Sequence, residues 1–205
     1  PIDKTAGVMA LEADGTLQAL AIFYPCHTTT LGPNTLEVTA DFPYYTIAKL
    51  KRSLGSSTEV LYFNGAEGDL SVGHKSDLSA VGVIAPNRTF ERAAELGYRL
   101  ADCVTEALPS LAAETPRLAV ANSVVELPLK TYLPLAEMRR RREDAGRAMD
   151  EAAVNGAAVA DLIRAKQISL FSRIEEYYAS LLEGLSSRRT LLAELTAVRV
   201  GNTAI

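Results

Sequence analysis

Two apolar runs open the chain, Gly7 to Glu12 and Leu17 to Tyr24, separated by Ala13-Asp14-Gly15. An Asp-Gly between such runs predicts a β-hairpin, because the turn needs positive φ and glycine adopts it without steric penalty. The period then changes. Ile47, Leu50 and Leu54 recur at three- and four-residue steps, which predicts a helix opened by Pro43 and ended by Gly55. Glu59 to Phe63 is a short β-prone run. Asn64-Gly65-Ala66-Glu67-Gly68-Asp69 after it must be a loop, since two glycines among short polar residues interrupt any regular element. Ser71 to Pro86 has no clear period. Thr89 can cap a helix from Phe90 to about Leu108, with Ala94, Leu96, Leu100, Val104 and Leu108 on its apolar side. Leu118 to Leu127 reads as a strand.

The pattern shifts at about Pro134. From there to Leu185 there is no further proline, and two helices fit, broken near Asn155-Gly156. The second carries Val159, Ile163, Leu170, Ile174, Tyr177 and Leu181 at helical steps, a stripe read as intramolecular packing. Leu191 to Val200 returns to strand. The expected fold is α/β: a mixed sheet with flanking helices and an inserted or appended long helical hairpin. The expected division is an α/β core part over 1–130, the hairpin over 131–190, and a returning core strand over 191–205. Both ends fall abruptly against predicted strands, so the chain is expected to be an internal piece of a longer protein.

Composition narrows the function. Of 205 residues, 48% are hydrophobic and 22% charged, as in an ordinary folded chain. Twenty-one basic against twenty-five acidic residues gives −4, the wrong sign for a dedicated nucleic-acid binder. No apolar run approaches the roughly 20 residues that span a bilayer. The longest, Ala19 to Cys26, reads as a buried strand. Cys26 and Cys103 are too few for a disulfide scaffold and read as small buried hydrophobes. Asn87-Arg88-Thr89 matches a glycosylation sequon. The run Arg139 to Arg142 wraps about 300° of a helix, so it forms no single stripe. With Glu143, Asp144, Asp150 and Glu151 following, it reads as a solvated face.

The chain has no HExxH, Walker A loop or GxGxxG. Asp69-Leu70-Ser71-Val72-Gly73 approaches a nucleophile elbow but carries aspartate where the tight turn wants glycine. Two segments remain. In Tyr24-Pro25-Cys26-His27, the histidine stands where an apolar strand gives way to a loop, either a metal ligand or base or a ring bonded to a carbonyl. Asp41, just before Phe42-Pro43, reads as a helix cap. In Asn64 to Ser71, the glycine-rich loop can present N–H groups to an anion, with Ser71 as nucleophile or donor. The loop equally reads as a tight turn in which Asp69 and Ser71 cap backbone groups. His74 is either a base for Ser71 or an exposed loop histidine.

Together these segments resemble the neutral/alkaline, non-lysosomal ceramidase family, in a distant bacterial form. The likeness runs from the Gly7-Val8 hairpin through His27, Leu31-Gly32-Pro33-Asn34 and Ala40-Asp41-Phe42-Pro43. It continues through Leu61-Tyr62-Phe63-Asn64-Gly65 and Gly68-Asp69-Leu70-Ser71 to the Glu91 to Leu100 helix. The resemblance implies a zinc-dependent amide hydrolase that splits an N-acyl amide such as ceramide into fatty acid and sphingosine. It implies His27 as a zinc ligand and Ser71 as the catalytic serine. Asn64, Gly68 and Asp69 would shape the loop or bind substrate, and Asp41 would support the His27 loop. The family's other zinc histidine would precede Pro1, and its glutamate and tyrosine ligands would follow Ile205. Alone, the chain would then be inactive and hold no zinc firmly. Val72-Gly73 stands where the family usually has Pro-Asn, so the amide-containing substrate, lipid or small molecule, stays open. Two rival readings are a zinc-independent serine hydrolase using Ser71 with His74 or His27, and a non-catalytic module self-associating through its helical hairpin.

Overall fold

The computed structural model describes residues 3–68, 70–184, 190–201 and 203–204. The fold is α/β, with a mixed sheet and flanking helices. The chain divides into two compact units, Pro1–Ala112 and Ala113–Ile205.

The first unit begins with the hairpin of β1 (Gly7–Ala13) and β2 (Thr16–Tyr24). Its turn places Asp14 at φ 52° and Gly15 at φ 72°, the two positive values that a two-residue turn matching strand twist requires. Helix α1 (Phe42–Leu54) then crosses over to β3 (Glu59–Asn64), which pairs with β2 in parallel. The sheet order is β1-β2-β3, antiparallel on one side of β2 and parallel on the other. The short helix α2 (Ser76–Ala80) occupies the stretch without sequence period, and α3 (Phe90–Ala107) follows.

The core gathers Leu20 and Ile22 of β2, Phe42 and Leu50 of α1, Val60 of β3, and Ala93, Leu100, Ala101 and Val104 of α3. Fully burying a side chain such as Leu20, Ile22 or Leu50 contributes about 1.5–3 kcal/mol. The two helices meet closely at Gly97, where a Cβ would lie 2.4 Å from the Phe42 carbonyl oxygen. There Thr46 Oγ1 donates to the Phe42 carbonyl at 3.2 Å and to the Gly97 carbonyl at 3.0 Å. Cys26 is buried in this core, but Cys103 is exposed, on the solvent side of α3. The expectation of two buried cysteines fails for Cys103 because its neighbours Leu100, Ala101 and Val104 already face the core.

The second unit holds β4 (Leu118–Pro128), α4 (Leu135–Val154), α5 (Val159–Gly184), β5 (Thr190–Val200) and β6 (Thr203–Ala204). β4 and β5 pair antiparallel from Leu118↔Val200 to Pro128↔Thr190, with the helical hairpin inserted between them. β4 and β5 share a sheet with β6, and the compact units divide at Ala112/Ala113. Sequence pattern marks a strand but not its partner.

The hairpin buries Ser169 and Ala179 of α5 and Met138 and Ala145 of α4, three small side chains and one large one. Much of the expected packing stripe is instead exposed, including Val159, Ile174, Tyr177 and Leu181. Ile163 and Leu170 of the same stripe are half-buried. Arg139 and Arg142 reach across to Glu176 at 3.5 and 3.0 Å, while Arg140 and Arg141 pair with Glu137. The arginine run is thus a partly neutralised, solvated surface.

Candidate active site

Tyr24 of β2 and Asn64 of β3 are register partners in a parallel pair, so both strands end at the same edge of the sheet. The loops leaving that edge are therefore neighbours. In open α/β sheets this carboxyl edge is where ligands bind. Gly65 N–H donates to the Tyr24 carbonyl at 3.0 Å, and a Cβ at Gly65 would lie 3.1 Å from Pro25. His27 N–H donates to the Leu70 carbonyl at 3.2 Å, stitching the two loops together.

The His27 ring is 42% exposed, and its Nδ1 lies 3.1 Å from Glu67 Oε1. Asn64 Nδ2 donates to the same oxygen at 3.0 Å. The second carboxylate oxygen, Oε2, is buried and has no partner among the described residues. Gly68 turns in open space just beyond. Asp69 lies outside the described residues. Ser71 is exposed, one residue from the Leu70 link to His27, and its Oγ donates to the backbone carbonyl of His74. The bond goes to a carbonyl and not to the imidazole, so it gives the hydroxyl no base. Burial, reinforced by the Arg88 charge and partly offset by Asp41, holds the His74 imidazole below its ordinary value.

Asp41 is buried at the N-cap of α1. Its Oδ1 accepts from Phe42 N–H at 2.7 Å and its Oδ2 from Leu31 N–H at 3.0 Å. One carboxylate thus caps the helix and fastens the loop that begins at His27. Its backbone sits at φ 57°, ψ −148°, a conformation rare outside glycine.

Two contributors escaped the sequence reading. Arg88 donates from Nη2 to the Thr29 and Leu31 carbonyls at 3.1 and 2.6 Å, from Nε to Thr30 at 3.4 Å, and from Nη1 to Ser79 Oγ at 2.8 Å. It straps the His27 loop to α2. Nothing local distinguishes Arg88, since its partners lie nine to fifty-nine residues away. Glu67 was visible only as a polar member of a glycine-rich loop. The two acidic groups, Glu67 and Asp41, also set the local field. Burial first, then these negative charges, push the Cys26 thiol up. Burial likewise raises the Tyr62 phenol strongly, with the charge of Cys26 next and that of Glu67 after it. Tyr62 donates to the Tyr24 carbonyl at 3.4 Å, at the base of the site.

A zinc centre needs three or four protein ligands. Among the described residues no three His, Cys, Asp or Glu side chains gather to hold a metal. His27 and Glu67 stand together without a third, so this chain's described residues do not fit a complete zinc site.

No family model and no curated protein matches the chain. Among solved structures it is similar to the neutral ceramidase of Pseudomonas aeruginosa, at 18% identity and a TM-score of 0.49, over 63% of this chain and 21% of that one. It is also similar to a ceramidase complexed with C2, at 19% identity and a TM-score of 0.48, over 60% of this chain and 19% of that one. The chain spans about a fifth of the length of each.

Proposed function

We propose that this chain forms part of a ceramidase-like amide hydrolase, acting on an amide-containing lipid or small molecule. The observation that carries this reading is the convergence of the His27 loop and the Asn64–Ser71 loop at one sheet edge, joined by the His27 to Leu70 hydrogen bond. The same two segments carry the sequence resemblance. In this reading the His27 imidazole serves the reacting centre. Ser71 holds or attacks the substrate carbonyl once its hydroxyl leaves the His74 carbonyl. Asn64 and Gly68 shape the loop, with Asp69 expected beside them, and Asp41 keeps the His27 loop in place. Zinc enters only as a metal whose other ligands come from outside the described residues, with His27 as this chain's donor.

The test uses the protein that contains this chain, with fatty-acid release from N-acyl sphingosine and from simpler N-acyl amides as the readout. His27→Ala and Ser71→Ala should each abolish release, and Arg140→Ala should leave it unchanged. Full activity in Ser71→Ala would overturn the reading.

A further inference from the structure

Helix α5 has two sides of opposite character. Ser169 and Ala179 are buried, and Glu176 takes ion pairs from Arg139 and Arg142 of α4, so this side meets the hairpin partner. At about 3.6 residues per turn, Ile163, Leu170, Ile174, Tyr178 and Leu181 fall within roughly 80° of one another on the opposite side. Phe171 and Tyr177 flank that stripe. All of these are exposed except Ile163 and Leu170, which are half-buried. Cations edge the stripe: Arg164 beyond Phe171, and Lys166 and Arg173 beyond Tyr177. All three are exposed and have no ion pair among the described residues. The acids of the helix lie elsewhere. Asp161, Glu176 and Glu183 fall on the α4 side, and Glu175, near the Arg164 edge, sits 3.8 Å from Lys130.

We propose that the outer face of α5 docks on an anionic lipid surface, with the apolar stripe entering the headgroup boundary and Arg164, Lys166 and Arg173 meeting lipid phosphates. An apolar helix face edged by lysine and arginine suits that boundary, and the tyrosines add rings with an apolar body and a wet tip. No helix among the described residues is long and apolar enough to cross a membrane, so α5 would lie on the surface. Charge selects this occupant over a second copy of the chain. An identical helix would bring the same three cations to the same edges, where the one acid, Glu175, already stands beside Lys130. An anionic lipid surface supplies the opposite sign along both edges at once. The inference does not rest on the amide-hydrolase reading.

The test is co-sedimentation of the 205-residue chain with two kinds of vesicle, phosphatidylcholine alone and phosphatidylcholine mixed with phosphatidylglycerol at about three parts to one. The wild type should pellet with the mixed vesicles, far less with phosphatidylcholine alone, and less again as salt rises. Arg164→Gln, Lys166→Gln and Arg173→Gln together should weaken binding to the mixed vesicles roughly a hundredfold, at about fivefold for each cation. Phe171→Ser with Ile174→Ser should abolish it. All five substitutions are at exposed positions, and circular dichroism checks that the helices remain. No binding of the wild type to the mixed vesicles would overturn the proposal, and that measurement needs no variant to fold. Undiminished binding by either folded variant would overturn it too. So would a wild-type dimer in sedimentation velocity that Phe171→Ser with Ile174→Ser dissolves, because the face would then belong to a second copy.

Discussion

The main-chain N–H of His27 donates to the carbonyl of Leu70 across 3.2 Å, although the two residues lie forty-three positions apart. The bond exists because β2 and β3 run parallel and end together. It sets a histidine and a serine loop side by side, and the surrounding contacts keep them there.

Asp41 should be the most sensitive of those contacts. Asp41→Ala removes the cap of α1 and the tether to Leu31 while keeping the unfavourable backbone, at a cost of about 2–4 kcal/mol. Asp41→Gly loses the same bonds but relieves the φ 57° strain, so it should cost less. Urea unfolding of the two variants checks the order. Alanine milder than glycine would refute the strain argument.

Arg88→Met should loosen residues 29–31 without unfolding the core, since its bonds all go to the loop and to Ser79. Amide exchange should accelerate by about tenfold or more at Leu31, for the loss of one or two hydrogen bonds of about 1–1.5 kcal/mol each. Exchange at Leu20 and Ile22 should not change. Equal acceleration in β2 would mean that Arg88 supports the whole unit.

Gly97→Ala pits two effects against each other. Alanine favours a helix by about 1 kcal/mol over glycine. Here its Cβ would meet the Phe42 carbonyl at 2.4 Å and Tyr45 Cβ at 2.6 Å. Helix backbone cannot yield as a flexible side chain can, so overpacking should win with a net loss of about 1–3 kcal/mol. A rise in Tm on substitution would contradict this packing.

The two cysteines should react differently. Cys103 is exposed, whereas Cys26 is buried and its thiol is pushed up by burial and by Glu67 and Asp41. Iodoacetamide at neutral pH should label Cys103 first and reach Cys26 only on unfolding, because the thiolate is the reactive form. Peptide mass spectrometry gives the order directly.

His74 gives the acid limb of stability a definite sign. Its folded pKa is below the ordinary 6.5, through burial first and Arg88 second. The unfolded chain therefore binds more protons between the two values, and stability falls as pH drops below 6.5 toward the folded pKa. Thermal melts across that window should show a shallower decline for His74→Gln than for the wild type. Identical slopes would exclude His74 as a contributor.

The sequence by itself determined the local elements, because these depend on near neighbours. The hairpin turn at Asp14-Gly15, the cap of α3 at Thr89, the break between α4 and α5 and the loop after β3 were all legible as period, cap or glycine. His27, Asp41, Asn64, Gly68 and Ser71 could be picked out as residues suited to chemistry. Only the tertiary structure decided the pairings. It gave β4 to β5, turned α5 inward on Ser169 and Ala179, and left Cys103 in solvent. It also put Glu67 on His27 and Arg88 across residues 29–31. Strand partners and long-range hydrogen bonds are chosen by the packing of whole faces, and a periodic pattern names the face without naming what covers it.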